Sequence, residues 1–535
     1  MTRITSLSKA RSRRVATVDP SSHAGVAFPG ADAGAASMPK KAVVIGTGFG
    51  GLAIAVRLRV MGFQVEVVEA LDSAGGRARV FSQDGFTFDA GPTVITAPYL
   101  LEELFSIAGR DMADYVELIP VDPFYRVRFD DGSSFDYVRE EERLLEHIAK
   151  FEPRDVDGYL QLAKRAEEIF NIGYLKLAHQ PFDRLSDMLR VVPAMMRLES
   201  WRTVHGLVAR YIRDDRLRRV FTFEPLLVGG NPFEASSIYL LIHWLERKWG
   251  VHFARGGTGA IVSGLLRLLA DMGVTVRFNS PVESIDVRDG HVTGVRTLGG
   301  ERIAADVVVS NADPSYTYTH MISATARKRH PDRRVVRVRQ SMSLFVGYFG
   351  AKVQYPELAH HTIVLGERYE GLLDDVFRRR VLADDFSLYL HAPSRTDPSL
   401  APAGSEAFYV LSPVPNNKSG LDWPRIADDY FDKILARLES TVLPGIRDSI
   451  TSRLMMTPHD FEHTLRSVDG AAFGPEPLLT QSAWFRYHNR SEDVDGLYFV
   501  GAGTHPGGGV PGVLSSAKVV ERLVAERTGS RPNER

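Results

Sequence analysis

The stretch Lys41-Ala42-Val43-Val44-Ile45-Gly46-Thr47-Gly48-Phe49-Gly50-Gly51-Leu52 decides the fold. Ala42 to Ile45 is a short β-branched run of the kind buried in a parallel sheet. Gly46 to Gly51 then reads G-x-G-x-x-G, and Leu52 to Met61 continues as a helix. Gln64 to Val68 is a second apolar strand, closed by Glu69, which stands 18 residues beyond Gly51. Strand, glycine turn, helix, strand and acid in this order form a dinucleotide-binding unit. Gly46 permits the tight turn, Gly48 lets backbone approach a pyrophosphate, and Gly51 lets helix and strand pack closely. The helix start offers unpaired N–H groups and a positive dipole end to the phosphates. Glu69 can accept bonds from a ribose diol and would repel a 2′-phosphate, which disfavours NADP.

Working outward, Gly75-Gly76-Arg77 follows the acid, and Arg77 supplies a fixed cation with fork-shaped donors for phosphate. The segment Gly85 to Thr93 alternates aromatic residues as a strand and ends in the turn Gly91-Pro92-Thr93, which brings backbone close to something flat or bulky. About 400 residues later a strand, Gly496 to Val500, runs into Gly501-Ala502-Gly503-Thr504-His505-Pro506-Gly507-Gly508-Gly509-Val510-Pro511-Gly512-Val513. A second helix begins near Val513. Such glycine density puts backbone against a ligand, and the new helix start can stabilise negative charge on a reduced flavin ring. A long cofactor bridging two sequence-distant turns fits FAD better than NAD, and no second dinucleotide motif is left for NAD.

The rest of the chain bounds these readings. It has 535 residues, 44% of them hydrophobic, room for two to four domains and a large core. Lys+Arg total 65 against 66 Asp+Glu, a balance that argues against nucleic acid as a partner. The absence of cysteine excludes disulfides, Fe–S clusters, Cys–zinc sites and a cysteinyl-linked cofactor, and no metal site is expected. Residues 1–40 lack apolar periodicity and read as a disordered or non-structural extension, with Met38 as an alternative start. Through Lys41 the extension carries seven cationic and two acidic residues, a net of +5, so a transit peptide or an anionic-lipid tether is the other reading. With no secretory segment and no apolar run long enough to span a bilayer, the expectation is a cytoplasmic chain that meets membranes only peripherally. Residues 41–115, 250–315 and 485–535 are expected to form one discontinuous FAD-binding domain. Residues 116–249 and 316–484 are expected to form a substrate-binding and membrane-associated region, with many helical segments between about 115 and 250.

The sequence resembles the bacterial and fungal phytoene desaturases, the CrtI-type carotenoid desaturases, over most of residues 41–525. Besides the first glycine motif, the resemblance rests on Asp89-Ala-Gly-Pro-Thr-Val-Ile95, Pro123-Phe-Tyr-Arg126, Gly173-Tyr-Leu-Lys-Leu177 and Leu227-Val-Gly-Gly-Asn-Pro-Phe233. Arg255-Gly-Gly-Thr-Gly-Ala260, Ser310-Asn-Ala-Asp313 and Gly501 to Gly512 complete it. It implies an α/β fold: a Rossmann-like FAD-binding domain of the amine oxidase and GDP-dissociation-inhibitor type, a mixed α+β substrate domain and a helical membrane-associated region. It implies non-covalent FAD and a linear C40 hydrocarbon, phytoene, drawn from the bilayer. It also places the Val282 backbone at the adenine and the final loop beside the isoalloxazine. The implied function is successive dehydrogenation toward neurosporene or lycopene, by hydride transfer to flavin and proton loss, with a quinone or oxygen as the terminal acceptor. The alternatives are a related carotenoid oxidoreductase (a hydroxyneurosporene or diapophytoene desaturase, or a carotene isomerase), a non-catalytic prenyl-binding protein of the same fold, and an amine oxidase.

A hydrocarbon needs no polar pocket, but the carbon left cation-like by hydride loss must shed a proton. Asp187 and Arg190, spaced i, i+3 in Leu185-Ser-Asp-Met-Leu-Arg190, are candidates for that chemistry, and a surface ion pair is the other reading. His505, in the flavin loop, is a second candidate, with a structural role in the loop as its alternative. Pro181 to Trp201 mixes apolar residues with arginines, which suits either interfacial insertion or a core helix, and Pro193 is expected to interrupt it.

Overall fold

The computed structural model describes residues 39–529, so the extension through residue 38 lies outside the described residues. A five-stranded sheet is assembled from remote parts of the chain. Its strands are β1 (Lys41–Ile45), β2 (Gln64–Val68), β3 (Thr275–Arg277), β4 (Val307–Ser310) and β5 (Leu497–Phe499), in the order β5-β4-β1-β2-β3. Every neighbouring pair is parallel. Both faces are buried, one under helices and the other under the antiparallel strands 282–288, 291–297 and 302–304, so the central strands read as near-continuous apolar runs. Helix α1 (Phe49–Val60) packs against α2 (Thr258–Asp271) and α3 (Val510–Thr528). It is apolar almost all round, with Leu52 to Val56 and Leu58 buried, as a helix clamped between a sheet and two helices must be. Arg57 is buried too, and is paired: its guanidinium donates to Glu521 at 2.7 Å and to Glu103 at 2.9 Å. A buried cation left unpaired would cost several kcal/mol, so this clamp fixes α1 to α3 and the N-terminal region to the C-terminal one.

The register aligns the carboxyl ends of the strands: Ile45 lies beside Val68 on one side and Ser310 on the other. The loops beginning at Gly46, Glu69 and Asn311 therefore start side by side. β1 leads through α1 to β2, while β4 lies on its opposite flank, so a crevice opens at this switch point.

A second, seven-stranded sheet runs in the order 450–456, 343–351, 406–414, 388–391, 361–364, 125–128, 134–137. It is antiparallel except where His361–Val364 pairs with Tyr125–Arg128. One face packs under the helix Trp423–Thr441, and the other joins the helices of residues 141–249 in the largest core. Two strands, Tyr125–Arg128 and Ser134–Tyr137, also lie in the stretch read as containing many helical segments. Each is four residues long, too short for its alternation to outweigh the helical pattern around it.

The helix Leu185–Arg197 continues through Pro193 instead of ending there. Proline deprives the Leu189 carbonyl of its partner, but Leu189 is 64% exposed, so water can serve that oxygen. Among the described residues no helix is long and apolar enough to cross a membrane.

Candidate active site

A single elongated cavity of about 580 Å³ starts at the carboxyl ends of β1, β2 and β4 and continues between the two sheets. At its first end Glu69 is buried and already engaged. One carboxylate oxygen accepts from the Thr47 N–H at 2.8 Å and the Thr47 hydroxyl at 2.5 Å; the other accepts from the Leu71 N–H at 2.9 Å. With about four lone-pair sites on a carboxylate, capacity for one ribose hydroxyl remains. Val282 lines the same end. It follows Asn279 and Ser280, whose N–H groups donate to the carbonyls of Leu71 and Glu69.

Next comes the glycine cradle. Gly46 has φ +94°, a conformation that favours glycine. Gly46, Gly48 and Gly76 line the cavity, and Arg77 stands across it. Arg77 donates to the Ser467 hydroxyl at 2.6 Å, while its Nε is buried without a partner. Burial pushes the Arg77 pKa down and that of the neighbouring Asp313 up, and each opposes the other's shift by its charge. A half-buried guanidinium with a buried, orphaned Nε–H beside a glycine-lined crevice has the chemistry of a diphosphate seat. Helices α1 and α3 both start at the cavity wall, at Phe49 and Val510.

Gly51 does not line the cavity. A Cβ there would collide with the Gly46 carbonyl, so its absence lets α1 sit tight under the turn. Gly503 is likewise behind the wall, where a Cβ would strike Pro314. Gly501, Gly512 and Val513 do line the cavity, as do Gly91, Pro92 and Thr93 on the facing side.

Asn311 belongs to the segment Ser310-Asn-Ala-Asp313 quoted above, but it is not among the expected cofactor-binding residues. It follows the end of β4, lines the cavity, and fills the gap between the two glycine loops. A Cβ on Gly48 would lie 2.7 Å from its Nδ2; one on Gly50 or Gly501 would lie 2.6 Å or 2.8 Å from its Oδ1. Its position at the cavity follows from the strand register, which sets Ser310 beside Ile45 and so Asn311 beside Gly46.

Beyond the final loop the wall becomes hydrocarbon: Phe182, Met188, Val191, Phe223, Leu226 and Ile363 are among its residues. His505 lies where the two sections meet. It is buried, its Nε2 is 3.3 Å from the Leu177 carbonyl, and its Nδ1 has no partner. Since a carbonyl only accepts, Nε2 carries the hydrogen and Nδ1 a bare lone pair. Burial holds the ring neutral, with its pKa pushed down to about 3. Glu246, further in, accepts from the Tyr125 hydroxyl at 2.6 Å. Burial first, and then the nearby Glu224, push its pKa well up, so the wall stays uncharged there.

Asp187 and Arg190 approach to 3.6 Å, as their spacing requires, but neither lines the cavity. Asp187 accepts from the Arg184 N–H at 3.3 Å, closing the start of its helix. It is Met188, Val191 and Met195 of that helix that face the cavity.

The family model for flavin containing amine oxidoreductases matches residues 49–520. The lycopene-forming phytoene desaturase of Pseudescherichia vulneris is 49% identical over 488 residues, covering 91% of this chain and 99% of the relative. The neurosporene-forming enzyme of Rhodobacter capsulatus is 42% identical over 91% of this chain and 94% of its own. Among solved structures, cyclohexylamine oxidase from Brevibacterium oxydans shares the fold, with a TM-score of 0.59 at 16% identity over 92% of this chain and all of that one. The cofactor is FAD, and the chain belongs to the flavin-containing amine oxidoreductase family and, within it, to the phytoene desaturases.

Proposed function

We propose that this protein dehydrogenates phytoene, in successive steps, toward neurosporene or lycopene. One observation carries the reading: the glycine cradle and the hydrocarbon wall are two sections of one cavity. Bound FAD supplies a two-electron hydride acceptor. The chain's own part is to hold that group between Glu69, Arg77 and the Gly501–Val513 loop, and to thread an apolar polyene past it. The wall excludes water, which deprives a cation-like carbon of a competing nucleophile. We assign His505 Nδ1, the bare lone pair at the junction, to accept or relay the proton that such a carbon loses. A neutral imidazole of low basicity holds that proton only briefly, which suits a relay rather than a final acceptor.

The helix Leu185–Arg197 presents three faces. One lines the cavity; a second carries Leu185, Leu189, Val192 and Met196, exposed by 54%, 64%, 39% and 58%. The third bears Asp187, Arg190 and Arg197. Exposed Phe485 lies on the segment Ala483–Phe485 that packs against this helix and adds to its apolar surface. We assign this surface to the bilayer, with the arginines at the headgroups and substrate entering from one leaflet. Asp187 and Arg190 then belong to the polar face of an interfacial helix rather than to the reacting carbons. A membrane quinone is the acceptor that this placement supplies. Expression in a phytoene-accumulating cell, followed by pigment analysis, tests the activity. Coloured polyenes are the expected result; unchanged phytoene alongside flavin-loaded protein overturns it.

A further inference from the structure

Behind the cavity wall lies a cluster with no part in the reading above. The strands His361–Val364 and Leu388–His391 pair so that His361 stands opposite His391, and His360 immediately precedes the first. All three imidazoles are buried, and one ring nitrogen of each falls within 4.8 Å of the other two. Nε2 of His360 and Nε2 of His391 are 3.0 Å apart.

The outer nitrogens are backed by hydroxyls. His360 Nδ1 is 2.6 Å from Thr396 Oγ1, and His361 Nδ1 is 2.7 Å from the Tyr389 hydroxyl. That hydroxyl is also 2.6 Å from Thr93 Oγ1. If Tyr389 donates to Thr93, it accepts from His361, whose Nε2 is then a bare lone pair. The opposite arrangement would leave a buried Nε2–H with nothing to bind, because Nε2 has no partner. His391 Nδ1 is buried and unpartnered as well. For His360 and His361 the far nitrogens can donate to hydroxyl oxygens while the near ones converge with a nitrogen of His391, which is how metal-ligating imidazoles are arranged.

We propose that His360, His361 and His391 form a binding site for a divalent transition metal. Tetrahedral ligation at about 2.0–2.1 Å sets nitrogens about 3.3 Å apart, so a small rotation of the rings closes the set. Phe253 packs at 4.7 Å from His360 and 5.9 Å from His391, and Tyr125 at 5.8 Å from His361, which limits that rotation. No carboxylate belongs to the triad. Neutral nitrogen donors select zinc, cobalt, nickel or copper over magnesium and calcium, and three protein ligands leave one position open. Tyr389 lines the cavity, so an occupied triad would fix the direction of a hydroxyl at the cavity wall.

The test uses the flavin-loaded, chelator-stripped full chain, titrated with cobalt(II) and with zinc(II). After dialysis, metal per chain is read by mass spectrometry and cobalt by its visible difference spectrum. The expected result is one metal per chain with a tetrahedral cobalt band. At least tenfold weaker binding is expected in His360→Gln, His361→Gln and His391→Gln, and no change in the exposed control His463→Gln. A stoichiometry near zero in the wild-type protein overturns the site, whether or not the variants fold. Wild-type binding that persists in all three variants overturns it equally.

Discussion

Substituting Gly50 by Ala tests whether Asn311 joins the two ends of the chain. Gly50 lies in the first turn of α1, and an added Cβ would sit 2.6 Å from Asn311 Oδ1, 3.0 Å from Gly501 N and 3.2 Å from Gly501 Cα. Comfortable contacts begin at ~3.5 Å, so the Asn311 amide must retreat by about 0.9 Å, toward the cavity or into the cradle. Overpacking of this order costs about 1–3 kcal/mol, and the helical preference of alanine over glycine returns up to about 1 kcal/mol. The net loss is about 1–2 kcal/mol, or a ~5- to 30-fold weaker FAD if the distortion falls on the cofactor seat. Asn311→Ala removes the hardest of the three contacts. In that background Gly50→Ala should therefore cost about 1 kcal/mol less, a coupling well above the ~0.3–0.5 kcal/mol expected of independent sites. Flavin titration of the apoprotein and urea denaturation of all four proteins measure both quantities. Costs that simply add would place the Asn311 side chain elsewhere and refute the interlock.

Other consequences follow from single groups. Glu69→Gln turns an amide N–H₂ toward donors that now meet carboxylate oxygens at Thr47 and Leu71; FAD should bind about 30-fold more weakly, at ~2 kcal/mol for a charged hydrogen bond, and an unchanged Kd would overturn the role. Leu189→Asp with Met196→Asp should lower vesicle flotation tenfold or more while flavin absorbance stays constant, and undiminished flotation would remove this patch from the membrane face. His505, neutral in the fold with a pKa near 3 against 6.5 in a free chain, contributes stability that is full above pH 6.5 and is lost as the pH falls toward 3, because the unfolded chain then binds the extra proton. Its slope is about 1.4 kcal/mol per pH unit, so denaturation midpoints at pH values between about 4 and 7 should fall less steeply in His505→Gln. An identical slope would mean that the ring is not desolvated.

What can be read along the chain is what a single element decides. The cradle is legible because bringing backbone against phosphate requires glycine at fixed steps after a β-branched strand, and Gly46, Gly48 and Gly51 record that requirement locally. The C-terminal loop is legible for the same reason. Spacing also brings Asp187 to Arg190 correctly, since i, i+3 neighbours share a face in any helix. Which face looks into the cavity is another matter: it depends on where the sheets put the helix, and Met188, Val191 and Met195 took that side. The hydrocarbon wall is silent for a related reason. Phe223 or Ile363 beside a polyene and Phe345 in a core demand the same side chain, because both exchange water for carbon.

Groups contributed by several strands are the least legible. Asn311 reaches Gly46 through the parallel register of β4 on β1, and His391 reaches His361 through an antiparallel pairing across 30 residues. Neither pairing can be read along the chain, because the partner strands are interchangeable β-branched or aromatic runs. Register is nevertheless strict wherever both faces are buried: a slip of one residue would turn Ser310 and Asn311 to opposite sides and carry His391 away from the triad. The sheets therefore act as the precision element of this protein. The loops supply the cofactor's chemistry in residues a reader can name, and strand pairing decides which other side chains are present when that chemistry occurs.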